Sequence, residues 1–396
     1  MTLFKHIVAT AIMALTTMAT WANETPFKFD CQPYLQNVTD TSATVVWATN
    51  LPAVSWVELA PDDGLHFYAE ERPKFFDSLF GRKKTGCIHR ITLTGLKPDT
   101  KYRYRIYSNE VFDKGERRVR YGRVEASDVY RGKPYEFRTT GAKKDAIHFA
   151  VVNDIHEHAD RYRKLFHQVD STTLDFMVLN GDMVNNMDTM PQLYNGFLNT
   201  SSEMFARSMP FYMVRGNHET RGKVQHNFIE MFPTSTGQPY YTFSRGPVFF
   251  IALDGGEDKP DSDIEYCGLA DFDNYRTSQA QWLEQVVNSD DFRNATYRVV
   301  LIHVPPVGIT WHGLAEVQNK FMPILNKAGI DLMISGHLHR HGYVAAGEQG
   351  LGFPLIINSN VEIMDIKAND DVMDIKVKDT EGRTTRSYQI GPGKRK

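Results

Sequence analysis

The chain has 396 residues, of which 41% are hydrophobic and 12% aromatic, so it can bury more than one core, and its length favours two domains. Its formal net charge of −3 arises from 45 basic and 48 acidic residues with no long run of one sign. This pattern provides no electrostatic surface for duplex nucleic acid or an anionic membrane, and we expect small anionic ligands to be captured locally.

Residues 1–22 have the composition of a secretory signal peptide. Lys5 and His6 precede a mostly apolar run over residues 7–18, and Ala22 ends a cleavage-like sequence. The run is shorter than the roughly 20 apolar residues that a membrane span needs, and no later stretch approaches that length. We expect a periplasmic or secreted protein with no membrane span in the mature chain, and an uncleaved amphiphilic anchor is the alternative.

The three cysteines are Cys31, Cys87 and Cys267, which are too few for a disulfide framework and lack the paired spacing of a thiolate metal site. An oxidising compartment would permit a bond between Cys31 and Cys87. Free buried thiols are the favoured interpretation, because spacing alone does not define connectivity.

Residues 27–140 are predicted to form an antiparallel β-sandwich. Bulky and polar residues alternate over residues 42–48, 87–93 and 101–107, and turn residues separate these runs. The corner before the last run has the pattern L-x-P-x-T-x-Y at Leu96, Pro98, Thr100 and Tyr102. The segment resembles a fibronectin type III module, in which this corner has a packing role.

Residues 145–391 show buried apolar strands followed by longer helical stretches, which is typical of an α/β domain. Strands are predicted at residues 146–152, 176–179, 211–214, 248–253, 298–302 and 332–334, and a helical stretch at residues 156–169. Residues 257–273 form an acidic, turn-rich insertion. We favour a solvated loop for this insertion, with a substrate-facing lid as the alternative.

Polar clusters follow five of the predicted strands. Their candidate ligands are Asp154, His156, Asp182, Asn217, His303, His337 and His339. Asp154 and Asp182 are separated by the ~30 residues of one strand-helix-strand unit, so both carboxylates should emerge at the same sheet edge. Carboxylate, amide and imidazole ligands suit Mn²⁺, Zn²⁺ or Fe, and two ions that bind one phosphate ester need a bridging carboxylate. Any one cluster alone is compatible with a turn or a buried histidine.

The ordered set resembles the calcineurin-like metallophosphoesterase superfamily over roughly residues 147–343. The resemblance implies a four-layer α/β/β/α sandwich that holds two metal ions. It assigns the first ion to Asp154, His156 and His339, the second to Asn217, His303 and His337, and the bridging role to Asp182. It also implies that His218 steadies the phosphate and protonates the leaving oxygen, and the alternative is that His218 only orients a metal ligand.

With the preceding sandwich, the chain resembles the purple acid phosphatases but departs from them at two positions. His156 stands where those enzymes have glycine, and Asn185 where they have a metal-binding tyrosine. We therefore expect no iron-tyrosinate colour, and the metal pair stays open among Fe, Mn and Zn. His312 is placed like a substrate-facing histidine of the plant enzymes, with a surface loop as the alternative, and the adjacent Trp311 could flank a leaving group.

Four further residues lie beside the ligand motifs. Arg215 and Arg221 could contact a non-bridging phosphate oxygen, and a structural ion pair is the equal alternative. His158 and His341 are interpreted as solvated, because neither is needed to complete two coordination spheres.

The sequence thus predicts an exported phosphoesterase of the phosphomonoesterase or acid phosphatase type that acts on small phosphate esters. In this mechanism a metal-bound hydroxide attacks phosphorus in line. A phosphodiesterase or nucleotidase would use the same ligands. The alternative from another class is a non-catalytic binding protein with a relic metal domain. The oligomeric state is not defined by the sequence.

Overall fold

The computed structural model describes residues 25–115, 117–141, 145–308 and 310–393. The predicted signal peptide at residues 1–22 lies outside these ranges. Within them, the structure contains no helix that is long and apolar enough to cross a membrane.

The N-terminal domain is built from antiparallel strands. In chain order they are β1 (Phe29–Gln36), β2 (Ser42–Pro61), β3 (Lys74–Phe76), β4 (Ser78–Leu79), β5 (Arg82–Lys83), β6 (Gly86–Thr94), β7 (Lys101–Lys114), β8 (Val119–Ala126) and β9 (Tyr135–Arg138). The first half of β2 pairs with β1 and β6, and its second half pairs with β7 and β3. The long strand β2 therefore belongs to both layers, and the predicted β-sandwich is confirmed.

The second domain contains the remaining strands. They are β10 (Ala146–Val152), β11 (Phe176–Asn180), β12 (Phe211–Val214), β13 (Tyr241–Arg245), β14 (Val248–Leu253), β15 (Tyr297–Ile302), β16 (Leu332–Ser335), β17 (Gly342–Val344), β18 (Leu355–Ile357), β19 (Glu362–Asn369), β20 (Met373–Asp379) and β21 (Thr384–Ile390). Its α-helices are α1 (Ala159–Phe166), α2 (Met190–Leu193), α3 (Asn199–Ser201), α4 (Phe228–Met231), α5 (Phe272–Val286), α6 (Asp290–Asn294), α7 (His312–Lys320) and α8 (Met322–Ala328). Two π-helical turns, Tyr194–Leu198 and Ser202–Ala206, flank α3.

Two mixed sheets stack face to face in this domain. One has the strand order β12-β11-β10-β19-β20-β21, and the other has β13-β14-β15-β16-β18-β17. Their inner faces share one apolar core, in which Phe149 of the first sheet meets Phe250 of the second with ring centroids 5.3 Å apart. Helices such as α1 cover the outer face of the first sheet, and α5, α7 and α8 cover that of the second. The predicted four-layer fold is confirmed.

The predicted helical stretch at residues 156–169 is shorter in the structure, because α1 begins only at Ala159. His156 and Glu157 have left-handed backbone with φ of 48° and 65°. An α-helix needs right-handed backbone at every position. The start of the predicted helix is therefore a loop that belongs to the candidate site described below.

Strand β1 packs the N-terminal domain against helix α4 and the edge strand β12 of the second domain. The Tyr34 hydroxyl donates to the Met231 carbonyl at 2.7 Å, and the Gln36 amide donates to the Phe211 carbonyl at 3.0 Å. Cys31 is fully buried in the same core, where burial raises the pKa of its thiol. Cys31 and the partly exposed Cys87 are both free thiols, as favoured by the sequence interpretation.

A largely buried ion pair joins β10 to β19. His148 Nε2 lies 2.6 Å from Asp365 Oδ1, and Lys378 Nζ donates to Asp365 Oδ2 at 2.7 Å. Burial raises the pKa of Asp365, but the hydrogen bonds from His148 and Lys378 outweigh burial and lower this pKa to about 2. Because the folded-state pKa is lower than that of the unfolded chain, the pair stabilises the folded protein only while Asp365 is ionised.

We predict that Asp365→Asn loses stability in a pH-dependent way. The difference in unfolding free energy from the parent should shrink as the pH falls from about 5 towards 2. The pH-dependent part should be at most roughly 2 kcal/mol, because partial exposure screens the pair. Urea unfolding at several pH values measures this difference in free energy. Asp160→Asn, a change at a 97%-exposed aspartate, is the control. A difference that does not change between pH 5 and pH 2 would contradict the prediction.

Candidate metal centre

The loops after parallel neighbouring strands meet at one edge of the two stacked sheets. The loop after β10 carries Asp154 and His156, and the loop after β11 carries Asp182. The remaining predicted ligands follow β12, β15 and β16: Asn217, His303, His337 and His339. Because parallel strands end at the same edge, residues far apart in the sequence lie close together here. The structure thus brings all seven predicted ligands into one cluster.

Five of the seven predicted ligands have left-handed backbone. Their φ angles are 53° for Asp154, 48° for His156, 54° for Asp182, 72° for His337 and 54° for His339. Such a conformation costs of order 1–3 kcal/mol for a residue with a side chain, and it persists only where the surroundings enforce it. The clustering of these costs at one sheet edge indicates a functional site.

Two glycines allow the loops to approach each other closely. A Cβ atom on Gly181, which has φ of 85°, would lie 2.4 Å from His303 Nδ1. A Cβ atom on Gly216 would lie 2.2 Å from Asp182 Oδ1. Both distances are shorter than any real contact, so a larger residue at either position would push a predicted ligand out of place.

Asp154, His156 and His339 form the first group of converging ligand atoms. Nε2 of His339 lies 3.1 Å from Nε2 of His156 and 3.1 Å from Asp154 Oδ1. Oδ1 of Asp154 is buried and has no hydrogen-bond partner among the described residues. Two imidazole nitrogens and a bare carboxylate oxygen that face one point are the donor set of a cation site.

Asp182, His303 and His337 form the second group. His303 Nε2 lies 3.0 Å from Asp182 Oδ2, and one terminal atom of the Asn217 amide lies 3.1 Å from His337 Nδ1 and 3.3 Å from Asp182 Oδ2. His303 Nδ1 lies 2.7 Å from the Asn180 carbonyl, so Nδ1 donates and Nε2 is free to face the group. Such a backbone contact typically orients a metal-binding histidine.

Asp182 lies between the two groups. Its Oδ2 atom is 3.0 Å from His303 Nε2 in the second group and 3.9 Å from His156 Nε2 in the first. Its Oδ1 atom accepts from the His218 backbone N–H at 3.0 Å. The carboxylate therefore has the position that a bridging ligand requires.

The ionisable groups at this edge shift one another's pKa values. Burial raises the pKa of Asp154 and Asp182, but His303 outweighs burial and holds both pKa values below the usual range. Burial lowers the pKa of His303, yet the two carboxylates raise it to about 10, while burial and His303 lower the pKa of His337 to about 4. A metal ion in the second group would replace the His303 proton, because metal ligands must be deprotonated.

The donor set fits two borderline divalent or trivalent ions. It consists of two carboxylates, one amide and four imidazoles, a combination that suits Zn²⁺, Mn²⁺ or Fe. Residues Asp154, His156 and His339 would hold one ion, Asn217, His303 and His337 the other, and Asp182 would contact both.

His218 lies at the mouth of the cluster. Its Nδ1 atom is 2.6 Å from the Asn185 carbonyl, and its Nε2 atom is 3.8 Å from Asp182 Oδ2. Because Nδ1 donates to the carbonyl, Nε2 is the nitrogen that faces the pocket. The Asn185 backbone thus fixes the orientation of the His218 ring.

A cavity of about 600 Å³ opens above the cluster. Its lining residues are Asp182, Asn217, His218, Arg221, Asp258, Lys259, Glu265, Trp311, His337, Leu338, His339 and Arg340. Arg221 is held by Glu257 through two contacts of 2.6 and 2.8 Å. The interpretation of residues 257–273 as a solvated loop is therefore corrected: the first part of the insertion is buried against the site, and only later residues such as Ile264 are exposed.

Two substrate-binding predictions are corrected. Arg215 is paired with the fully buried Asp254, and Arg215 Nε lies 2.7 Å from Asp254 Oδ2. Arg215 is not one of the described residues that line the cavity. His312 begins α7 and contacts Asp273 at 2.9 Å instead of facing the cavity. In both cases a nearby carboxylate holds the side chain, and the neighbouring residues Arg221 and Trp311 line the cavity.

The two other histidines differ from each other. His158 is exposed, as expected. The expectation that His341 is solvated is corrected, because its side chain is only 8% exposed and its Nε2 atom lies 2.8 Å from the Tyr388 hydroxyl.

The sequence interpretation gave no role to Glu219, which is fully buried behind the cluster. Its Oε2 atom accepts from the backbone N–H groups of Asp182 and Gly216, and its Oε1 atom accepts from those of Met183 and Val184. This one carboxylate clamps the loops after β11 and β12 together. The only sequence signal was its position directly after His218 in the third cluster.

Both domains of the chain match known protein families. Residues 147–341 match the family model described as calcineurin-like phosphoesterase, and residues 31–139 match the purple acid phosphatase N-terminal domain. Residues 147–341 therefore form a domain of the calcineurin-like phosphoesterase type, and residues 31–139 form a domain of the purple acid phosphatase N-terminal type.

Individual relatives are distant. Purple acid phosphatase 22 of Arabidopsis thaliana is 23% identical over 65% of this chain and 54% of its own length. Serine/threonine-protein phosphatase CPPED1 of Mus musculus is 26% identical over 42% of this chain and 54% of its own length. The chain thus spans about half the length of these curated relatives. The structure of purple acid phosphatase PPD1 from yellow lupin matches with a TM-score of 0.64 and 14% identity, over 91% of this chain and 74% of that one, which supports the fold.

We predict that Glu219→Ala loosens the loops at the site. The change leaves backbone N–H groups buried without acceptors, so the unfolding free energy should fall by at least about 3 kcal/mol. Amide hydrogen exchange at residues 182–184 should accelerate, as measured by mass spectrometry. Glu219→Gln keeps one carbonyl acceptor, so its stability and exchange rates should lie between those of the parent and those of Glu219→Ala. Glu203→Ala changes a 64%-exposed glutamate and is the control. Unchanged exchange at residues 182–184 would contradict the clamp.

Proposed function

We propose that this chain is a phosphoesterase that hydrolyses small phosphate esters with two metal ions. The observation that carries the proposal is the convergence of two groups of ligand atoms on either side of Asp182, at the floor of a cavity of about 600 Å³. The phosphatase names of the curated relatives support the same reaction class.

The metal ions would supply two effects when bound: they lower the pKa of a water molecule and neutralise charge on the phosphate. Fe, Mn and Zn all suit the donor set. His156 and Asn185 differ from the purple acid phosphatase pattern, and we propose a centre without an iron-tyrosinate bond.

His218 is proposed to protonate the leaving oxygen. Its Nδ1 atom is fixed by the Asn185 carbonyl, so a protonated His218 presents its Nε2 proton to the cavity. Arg221 lies beside it, with one guanidinium nitrogen 3.5 Å from His218 Nε2, and Glu257 holds the guanidinium in place. We propose that Arg221 contacts a non-bridging phosphate oxygen, because a guanidinium matches the geometry of that group.

The substrate is proposed to be a phosphomonoester. A phosphodiesterase would use the same metal ligands, so phosphodiesters are the second class of substrate to assay. The signal-like composition of residues 1–22 supports a periplasmic or secreted location. Hydrolysis outside the cytoplasm would act on esters present in the periplasm or the surroundings.

We predict that Asp182→Asn removes catalysis and one metal ion. Loss of the shared negative charge should lower kcat/KM by at least about 100-fold for p-nitrophenyl phosphate and its bis ester. Metal content, measured by plasma mass spectrometry, should fall from about two ions per chain to one or fewer. His158→Ala changes an exposed histidine and is the control, and it should keep the kcat/KM and the metal content of the parent. A parent protein with neither bound metal nor hydrolysis would instead support a non-catalytic binding protein.

We predict that the effect of His218→Asn depends on the leaving group. A residue that protonates the leaving oxygen matters most for a poor leaving group. The variant should lose about 10²- to 10⁴-fold in kcat with phenyl phosphate, and much less with p-nitrophenyl phosphate. Steady-state kinetics with both esters measures the ratio. Equal losses for both esters would show that His218 only orients its neighbours.

A further inference from the structure

The cavity wall carries one large aromatic side chain with a substantial exposed surface. Trp311 is 47% exposed and lies directly before α7. Its ring centroid is 5.7 Å from that of His337, with an angle of 80° between the planes. Among the described residues, no aromatic pair other than this contact involves Trp311. The indole therefore stands beside a predicted metal ligand with apolar surface left uncovered.

The other residues that line the cavity are polar or charged, with the exception of Leu338. Arg221, Lys259, Glu265 and Arg340 are charged, and Leu338 is the other large apolar residue of the lining. An exposed tryptophan on such a wall leaves apolar area in water, which is unfavourable by roughly 25 cal/mol per Å². Contact with a planar apolar group of a ligand would recover this free energy.

The space in the cavity exceeds what a phosphate group alone needs. Its volume of about 600 Å³ falls in the range of about 300–1,000 Å³ that pockets for ligands of drug size have. The phosphate would occupy the floor, where the ligand groups and Arg221 lie. The leaving group must then extend along the wall, and Trp311 borders that wall next to His337.

We infer that the substrates are phosphate esters whose leaving group carries a planar aromatic ring, and that Trp311 stacks on this ring. The inference rests on the proposed phosphoesterase function and makes Trp311 a specificity-determining residue. Aromatic stacking contributes about 0.5–1.5 kcal/mol beyond area burial, which corresponds to a preference of roughly 2- to 13-fold. Both an aryl ester and a nucleotide contain such a ring.

The test compares benzyl phosphate with cyclohexylmethyl phosphate, because their leaving alcohols have similar reactivity and shape and differ in aromaticity. The ratio of their kcat/KM values should fall by roughly 2- to 13-fold in Trp311→Leu. Trp311→Phe, which keeps an aromatic face, should retain part of the preference. Tyr343→Leu removes an equally exposed aromatic residue outside the cavity lining and should leave the ratio unchanged.

Calorimetric binding of benzylphosphonate and cyclohexylmethylphosphonate to the metal-loaded protein gives a readout that needs no turnover. The same fall in the affinity ratio is expected for Trp311→Leu. An unchanged ratio in both experiments would overturn the role of Trp311, while hydrolysis by the parent would leave the proposed function standing. Absence of hydrolysis with an affinity ratio that still depends on Trp311 would instead remove the proposed function and retain the aromatic subsite.

Discussion

Two carboxylates buried at one sheet edge, Asp154 and Asp182, impose the constraint on which the site depends. Each lies within 4 Å of the same imidazole nitrogens, those of His156 and His303. Buried like charges at such separations are costly unless cations lie between them. His303 supplies one positive charge from the protein, and metal ions would instead place positive charge next to bare atoms such as Asp154 Oδ1, His303 Nε2 and His337 Nε2. The surrounding loops are shaped to hold these two carboxylates together.

The conformation of these loops is unfavourable on its own, and interactions in the rest of the fold offset its free-energy cost. Left-handed backbone at five ligand positions costs of order 1–3 kcal/mol each. The core between the two sheets fixes the strand ends, and Glu219 ties the loops after β11 and β12 to each other. The first domain packs on helix α4 through Tyr34 and on strand β12 through Gln36, and these contacts stabilise the second domain.

The strands and the cluster could be predicted from local patterns in the sequence, whereas the four-layer arrangement was implied by the family resemblance. Apolar runs such as residues 146–152 define strands, and a polar residue directly after a parallel strand must lie at the sheet edge. The environment of Arg215 and His312 could not be predicted, because each is held by a carboxylate, Asp254 or Asp273, that lies about 39 residues away in the chain. Glu219 was missed for the same reason: its partners are backbone N–H groups that converge only in the folded protein.

Anomalous diffraction from crystals grown with excess Mn²⁺ tests the central claim most directly. Two peaks about 3.5–4 Å apart are expected, with Asp182 between them. One peak should contact Asp154, His156 and His339, and the other Asn217, His303 and His337. A single peak, or peaks that do not share Asp182, would contradict a two-metal centre.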